Sequence, residues 1–311
     1  MRIVIAGGGG FLGSPLAEVY AEEGHDVRVL TRALAPGESR HEPGTGVPGV
    51  TRVGWNPDGQ PGPWAPALDG ADAVVNLAGA SIAGARWTPQ RKALLRDSRI
   101  MPTKSLVAAM ASVGSPPPVF ISGSAVGYYG ASGNDIRSED SPAGRDFLSQ
   151  LAEDWEAEAR KGETARTRVA MVRTGVALEQ SGGALATLVP AFRMFVGGTI
   201  GSGRQYMSWI HRIDWVEMVR WLVDTPGASG PFNATAPEPA TNREFARALG
   251  RALRRPSLLP VPGFALRLML GEMAGPVLLT GQRAVPARAR SMGFHFRYPT
   301  IDQAFRGIFG E

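Results

Sequence analysis

The chain has no cysteine. Disulfides, thiolate nucleophiles and thiolate metal ligands are thereby excluded, and the absence fits a reducing compartment. Histidine is scarce at four residues, none paired at the helical spacing of a zinc motif, so no metal is expected. Lysine is confined to Lys92, Lys104 and Lys161. The net charge of +5 is therefore carried by arginines scattered along the chain, and without a basic block nucleic acid is not an expected partner. Long apolar runs are missing as well. The longest, from Val261, is broken by Arg267 and Glu272, and Met1 leads straight into "RIVIAGG" without a leader of apolar residues. No membrane partner is expected, and the chain reads as soluble and cytoplasmic. Ser122 and Ser124 lack the GxSxG turn that exposes a hydrolase nucleophile. "NAT" at Asn233 matches a glycosylation acceptor by letters alone.

Glycine is plentiful at 40 residues, four of them consecutive in "AGGGGFLGS". Before this stretch lies "RIVIA", an apolar run of the buried parallel-strand kind; after it, Phe11, Leu12, Leu16, Val19 and Tyr20 share one helical face, closed by Gly24. "DVRVLTR" then reads as a second strand, which completes one βαβ unit. Strand, glycine turn and helix in this order form a cradle for a dinucleotide's pyrophosphate. Two registers fit the letters, Gly8, Gly10 and Gly13 or Gly7, Gly10 and Gly13. At the end of the second strand, where an NAD site places a carboxylate for the ribose 2′-hydroxyl, stand Thr31 and Arg32. A guanidinium there favours a 2′-phosphate, so NADP(H) is the expected cofactor.

Further along, "VTRVGW" within a Pro- and Gly-rich interval from Ala35 to Leu68, then "ADAVVNLAG", "PPPVFISGSA" and "RVAMVRTGVAL", read as strands. Helices alternate with them, one begun by Thr88 and Pro89 and one in "FLSQLAEDWEAEARK". The expected fold is α/β, a Rossmann doubly wound parallel sheet with a smaller C-terminal substrate-side domain. Residues 1–178, with 208–236 returning to them, would form the cofactor domain, and 179–311 the smaller, discontinuous one.

Taken together, "GGGGFLG", "NLAGASIAGARWTPQRKALLRDSR", "SAVGYYG", "RTGVAL", "GGTIGSGRQYMSWIHRID", "PFNATAP" and the tail "LLTGQRAVPARARSMGFHFRYPTIDQAF" resemble the extended short-chain dehydrogenases/reductases. More narrowly the chain resembles their atypical epimerase-family branch, whose C-terminal part is a domain of unknown function. The resemblance implies that the turn from Gly7 through Gly10, Phe11, Leu12 and Gly13, together with Thr31, Arg32, Leu77, Ala78 and Arg99, lines NADP(H). It also implies a small-molecule substrate in the cleft between the two parts, and extended members suggest a homodimer.

Short-chain dehydrogenases generally pair a Tyr with a Lys four residues on, the ammonium lowering the phenol's pKa for proton exchange. Here Phe147 and Leu151 occupy those slots, and neither moves a proton. Ser124 aligns with the serine that helps hold the substrate oxygen. Tyr128 and Tyr129 are the candidates to supply a phenol from the following loop; Ser124 and Tyr129 are the pair expected to bind and polarise a substrate carbonyl, against a plain packing role for the tyrosines. His211, with Asp214 three residues on, is expected to be structural. Two functions follow: an NADP(H)-dependent oxidoreductase or epimerase-like enzyme on a small carbonyl, hydroxyl or nucleotide-sugar compound, or an NADPH-binding sensor or scaffold without turnover.

Overall fold

Apolar residues alternate between two faces along the first strand, and this sets the architecture. In the computed structural model, which describes residues 1–41 and 49–310, Ile3 and Ile5 join a core with Leu16, Tyr20, Trp215 and Val219. Val4 and Ala6 point the other way, into a core with Trp64, Leu68, Leu106 and Met110. A strand buried on both faces belongs inside a sheet covered by helices on both sides.

That sheet has eight strands: β1 (Arg2–Ala6), β2 (Asp26–Thr31), β3 (Ser39–His41), β4 (Val50–Gly54), β5 (Ala73–Asn76), β6 (Val119–Ala125), β7 (Arg168–Thr174) and β8 (Gly230–Ala234). Their order is β8-β7-β6-β5-β1-β2-β4-β3, parallel throughout except for β3 against β4. From β1 the chain moves outward to β2 and later returns to β5 on β1's other side. Such a reversal opens a crevice at the carboxyl ends of β1 and β5, the usual ligand site of these sheets.

The helices are α1 (Gly13–Glu22), α2 (Pro89–Ser112), α3 (Phe147–Arg160), α4 (Gly183–Arg193), α5 (Arg212–Asp224), α6 (Asn242–Ala252), α7 (Gly263–Leu270), α8 (Ala287–Ser291) and α9 (Ile301–Phe309). Thr88 caps α2 by accepting from the Arg91 amide at 3.1 Å, with Pro89 in the first turn as its missing N–H allows. Two details differ from the sequence reading. Helix α1 begins at Gly13, so Phe11 and Leu12 belong to the turn. The stretch "RVAMVRTGVAL" is two strands: beyond Gly175, Val176–Glu179 leaves the sheet and pairs in parallel with Trp209–His211. A Cβ on Gly175 would lie 2.3 Å from the Ser208 carbonyl oxygen, so a side chain at this crossing point is ruled out. Within the Ala35–Leu68 interval, residues 42–48 lie outside the described residues.

A smaller C-terminal subdomain has its own core, with Leu185 and Phe192 of α4, Phe245 and Leu249 of α6, Trp209, and Phe305 of α9. Each fully buried Phe contributes about 1.5–3 kcal/mol. No helix among the described residues is long and apolar enough to cross a membrane.

Candidate cofactor and active site

The glycine turn closes on itself between β1 and α1. The Gly10 amide donates to the Gly7 carbonyl at 3.0 Å and Ser14 to Gly10 at 2.9 Å. Gly7 has φ 83°, in the left-handed region, and a Cβ there would stand 2.8 Å from the Leu77 carbonyl group. At Gly13 a Cβ would come within 2.2 Å of the Gly7 oxygen. Gly10 is tighter than Gly9, which has open space around it. These contacts favour the Gly7, Gly10, Gly13 register, although Gly8 is also crowded, by Val29. No side chain caps α1, whose N-cap residue is Leu12; with Ser14 bonded to Gly10 and Pro15 lacking an N–H, the Leu12 and Gly13 amides are the ones left for an anion. Phe11, from the turn, packs against Gly182 and Gly183 at the start of α4 and lies under the Arg212 guanidinium at 5.5 Å.

Around this turn stand the other residues the sequence singled out. Thr31 closes β2 and accepts from the Ala33 amide at 3.2 Å. Arg32 follows it, exposed and without a polar partner among the described residues. Leu77 donates its amide to the Ala6 carbonyl at 2.8 Å, joining the ends of β5 and β1, and Ala78 donates to the Asn76 side chain at 3.2 Å. Asn76 is held from behind by Thr103 at 2.9 Å, which also receives the Trp155 indole N–H at 3.0 Å. Arg99 comes up from α2 against Gly79, only 9% exposed. It donates to the carbonyls of Leu95 at 2.9 Å and Ala80 at 3.0 Å and lies over the Trp155 ring, but no carboxylate meets it among the described residues. Burial, reinforced by Arg91, lowers its guanidinium to about 10. A charged group buried with neutral partners alone is suited to an anionic ligand.

Ser124 and Tyr129 belong to a different environment. Ser124 closes toward the end of β6 and donates its Oγ proton to Glu156 Oε1 at 2.7 Å. Glu156, fully buried on α3, also takes two bonds from Arg173, at 2.7 and 2.9 Å, and one from Arg160 at 3.0 Å. Arg173, 1% exposed, donates in turn to the Tyr129 hydroxyl at 3.0 Å and the Glu139 carbonyl at 3.1 Å. Tyr129 donates its own hydroxyl to Asn233 Oδ1 at 2.7 Å. Burial pushes its phenol up to about 12 against the pull of Arg173; burial opposes the Arg173 charge too, yet Glu156 holds that guanidinium above its usual range. The network brings Ser124 and Tyr129 into one chain of contacts without joining their hydroxyls directly. Tyr128 stacks its ring on Arg173, 3.5 Å from the guanidinium carbon.

Sequence reasoning missed Glu156, Arg173 and Asn233. The available signal was an arginine closing the otherwise apolar "VAMVR" of β7, because a charge entering a sheet's core calls for a partner. Asn233, noted only for the letters of a glycosylation acceptor, is fully buried: its Oδ1 accepts from the Tyr129 hydroxyl and its Nδ2 donates to the Val285 carbonyl at 2.9 Å.

On α3, the slots of the absent Tyr and Lys are sealed by apolar side chains. Leu151 is buried with Trp87, Leu95 and Met273, and Phe147 packs against the same cluster with Leu270 and Val277. Trp87 meets Phe147 edge-on at 5.2 Å, and Lys92, paired with Glu272 at 2.6 Å, sits 5.1 Å from the same ring. His211 caps α5 by accepting from the Ile213 amide at 3.1 Å and stacks on Tyr298 at 3.9 Å. Burial lowers its imidazole to about 4. The nearby Asp214 instead accepts from the amides of Arg297 at 2.8 Å and Tyr298 at 2.9 Å, so the two do not form an acid/base pair.

Comparison with known proteins agrees with this geometry. Residues 3–234 match the NAD dependent epimerase/dehydratase family, and residues 261–308 match a domain of unknown function, DUF1731. An epimerase family protein of Mycobacterium tuberculosis is 42% identical over 97% of this chain and 95% of its own. The chloroplastic SDR39U1 homolog of Arabidopsis thaliana is 39% identical over 99% of this chain and 86% of its own. Among solved structures, human epimerase family protein SDR39U1 with NADPH superimposes with a TM-score of 0.88 at 33% identity, over 99% of both chains. Glycine turn, parallel sheet and C-terminal extension thus converge: the chain belongs to the NAD dependent epimerase/dehydratase family, in the branch that carries DUF1731.

Proposed function

We propose that this chain is an NADP(H)-dependent enzyme of the extended short-chain dehydrogenase type, an oxidoreductase or epimerase acting on a small carbonyl, hydroxyl or nucleotide-sugar compound. The glycine turn carries this reading. Side chains at Gly7 and Gly13 would collide with backbone, and beside them the Leu12 and Gly13 amides open the uncapped start of α1, a form suited to a pyrophosphate. Arg32 supports the phosphorylated cofactor, since a charge-assisted bond to a 2′-phosphate contributes about 1.5–3 kcal/mol. Thr31, Leu77 and Ala78 would flank the same ligand, and Arg99 would answer its negative charge. NADPH in the human relative supports the same assignment. When bound, the cofactor supplies or accepts a hydride.

The chain's own contribution is to bind and orient. With its O–H donated to Glu156, the Ser124 Oγ offers lone pairs to a substrate hydroxyl. Tyr129 supports it from behind through Arg173 and Glu156, so in this reading Tyr129 is a positioning residue for the oxygen that Ser124 holds. Residues 1–178 with 208–236 would hold the cofactor and 179–311 complete the substrate side. The lack of cysteine supports a cytoplasmic setting, and analogy with extended relatives supports a homodimer.

The apolar seal over Phe147 and Leu151 favours a second reading, an NADPH-binding sensor or scaffold without turnover. Two measurements separate them. Calorimetry should show NADPH binding at least about tenfold tighter than NADH, with Arg32→Ala removing the preference; no heat with either cofactor would defeat both readings. Loss of reduced-nicotinamide absorbance against a panel of aldehydes, ketones and quinones should then reveal turnover. Tight binding without oxidation of any kind would leave the sensor.

A further inference from the structure

Three hydroxyls gather around Arg173, and two of them have no proton left to give. Ser124 stands beside Arg173 on the neighbouring strand, with its O–H committed to Glu156 Oε1. Arg173 and Arg160 hold both oxygens of Glu156, and an ionised carboxylate so placed only accepts. Tyr129 is filled in both directions: Arg173 donates to its oxygen, and its own O–H goes to Asn233 Oδ1, which the Nδ2 bond to Val285 fixes in that orientation. Neither can protonate a substrate oxygen without leaving a buried acceptor unmet.

Tyr128 differs. The centre of its ring lies 3.5 Å from the Arg173 guanidinium carbon, and the ring meets Tyr129 edge-on at 5.3 Å. Its carbonyl accepts from the Gly144 amide at 2.8 Å, so ring and backbone are both held. The hydroxyl, by contrast, has no polar partner among the described residues, and on this half-buried side chain it is not sealed from water. The turn that carries it, Val126–Tyr129, leans on the first turn of α3: Ser149 Oγ donates to the Gly127 carbonyl at 3.1 Å, and a Cβ on Gly127 would lie 3.2 Å from the Leu148 Cβ. A phenol thus enters from a loop, next to the helix whose own slot, Phe147, lacks one.

On the NADP(H)-dependent reading above, on which this rests, we propose that Tyr128 is the catalytic phenol of the site, exchanging the proton that the substrate oxygen gains or loses. As a substrate carbonyl carbon accepts hydride from the reduced nicotinamide, its π electron pair moves to oxygen, and that oxygen takes the Tyr128 proton. Water returns a proton to the phenolate. The new hydroxyl then donates to the Ser124 Oγ, whose lone pairs are open because its own O–H faces Glu156. In the oxidative direction the same groups act in reverse. Arg173 holds the Tyr128 ring in place, and Tyr129 serves as a strut between Arg173 and Asn233.

Nitration by tetranitromethane tests the placement without any substrate, and in a chain free of cysteine the competing thiol reaction is absent. Peptide mass spectrometry of the wild-type protein should find Tyr128 nitrated and the buried Tyr129 untouched, and saturating NADPH should slow nitration of Tyr128 at least about threefold. Tyr128 that reacts equally with and without bound NADPH overturns the assignment, as does nitration of Tyr129 in its place. On a carbonyl compound turned over in the panel, Tyr128→Phe should lower kcat at least about a hundredfold, with NADPH affinity and the thermal midpoint by circular dichroism as in wild type. Tyr129→Phe should lower the midpoint and cost less in kcat. A Tyr128→Phe enzyme that keeps more than about a tenth of the wild-type kcat overturns the proposal, and so does a panel without any turnover, which would leave Tyr128 a ligand contact. A protein that takes up no NADPH defeats the underlying reading as well, whereas NADPH binding with Tyr128 unprotected defeats the phenol alone.

Discussion

Two arginines enter the interior of this protein and meet opposite surroundings. Arg173 is gripped by both oxygens of Glu156, by Tyr129 and by a carbonyl, with Tyr128 across its face. Arg99 meets two carbonyls and the Trp155 ring. The first region is electrically complete and ties α3 to β7 and, through Asn233, to the C-terminal segment near Val285. The second lies beside the crevice of the sheet and is one negative charge short. Complete networks hold a fold together, while an uncompensated charge at a crevice marks where a ligand completes it.

The largest expected effect comes from breaking the complete region. Glu156→Ala would strand Arg173 and should cost about 3–5 kcal/mol of unfolding free energy in a denaturant titration; a loss under about 1 kcal/mol would mean that the pair is not the anchor we take it to be. His211 extends the comparison to a buried group kept neutral. Its folded pKa of about 4 lies below the ordinary 6.5, so the unfolded chain binds the proton more readily. The resulting stability is fully present above pH 6.5 and is lost as pH falls toward 4, by up to about 3 kcal/mol. His211→Asn, which keeps a capping side chain, should remove that part of the acid dependence; an unchanged profile would assign it to carboxylates. The smallest change in stability should come from Arg99→Ala, below about 1.5 kcal/mol, with NADPH affinity falling tenfold or more in calorimetry. If affinity held and the fold failed, the two arginines would not differ in the way described.

How much of this was legible in the sequence depended on range. β1, the glycine turn and α1 are neighbours along the chain, and the spacing of apolar and glycine residues predicts them with little help from elsewhere. The choice between Gly7 and Gly8 needed three dimensions, because it rests on Leu77, some seventy residues away. Phe147 and Leu151 announced the missing Tyr–Lys pair but not what replaced it, since Met273 and Leu270 arrive from the far end of the chain. Tyr129 was named from the sequence, yet the network that occupies its hydroxyl joins residues 129, 173 and 233, with no periodicity linking them. The strand break at Gly175 was invisible for the same reason: the Ser208 backbone that forbids a side chain there comes from a later segment.

Met273 in its apolar nest over α3 has a consequence for anyone who would install a Tyr–Lys pair there. Writing an amine at position 151, to partner a phenol at 147, would set a charge among Trp87, Leu95 and Met273 where Leu151 is now buried. The amine would shed its proton and cease to tune the phenol. Here the tail and the third helix form a matched lock and bolt, and retrofitting one requires recutting the other.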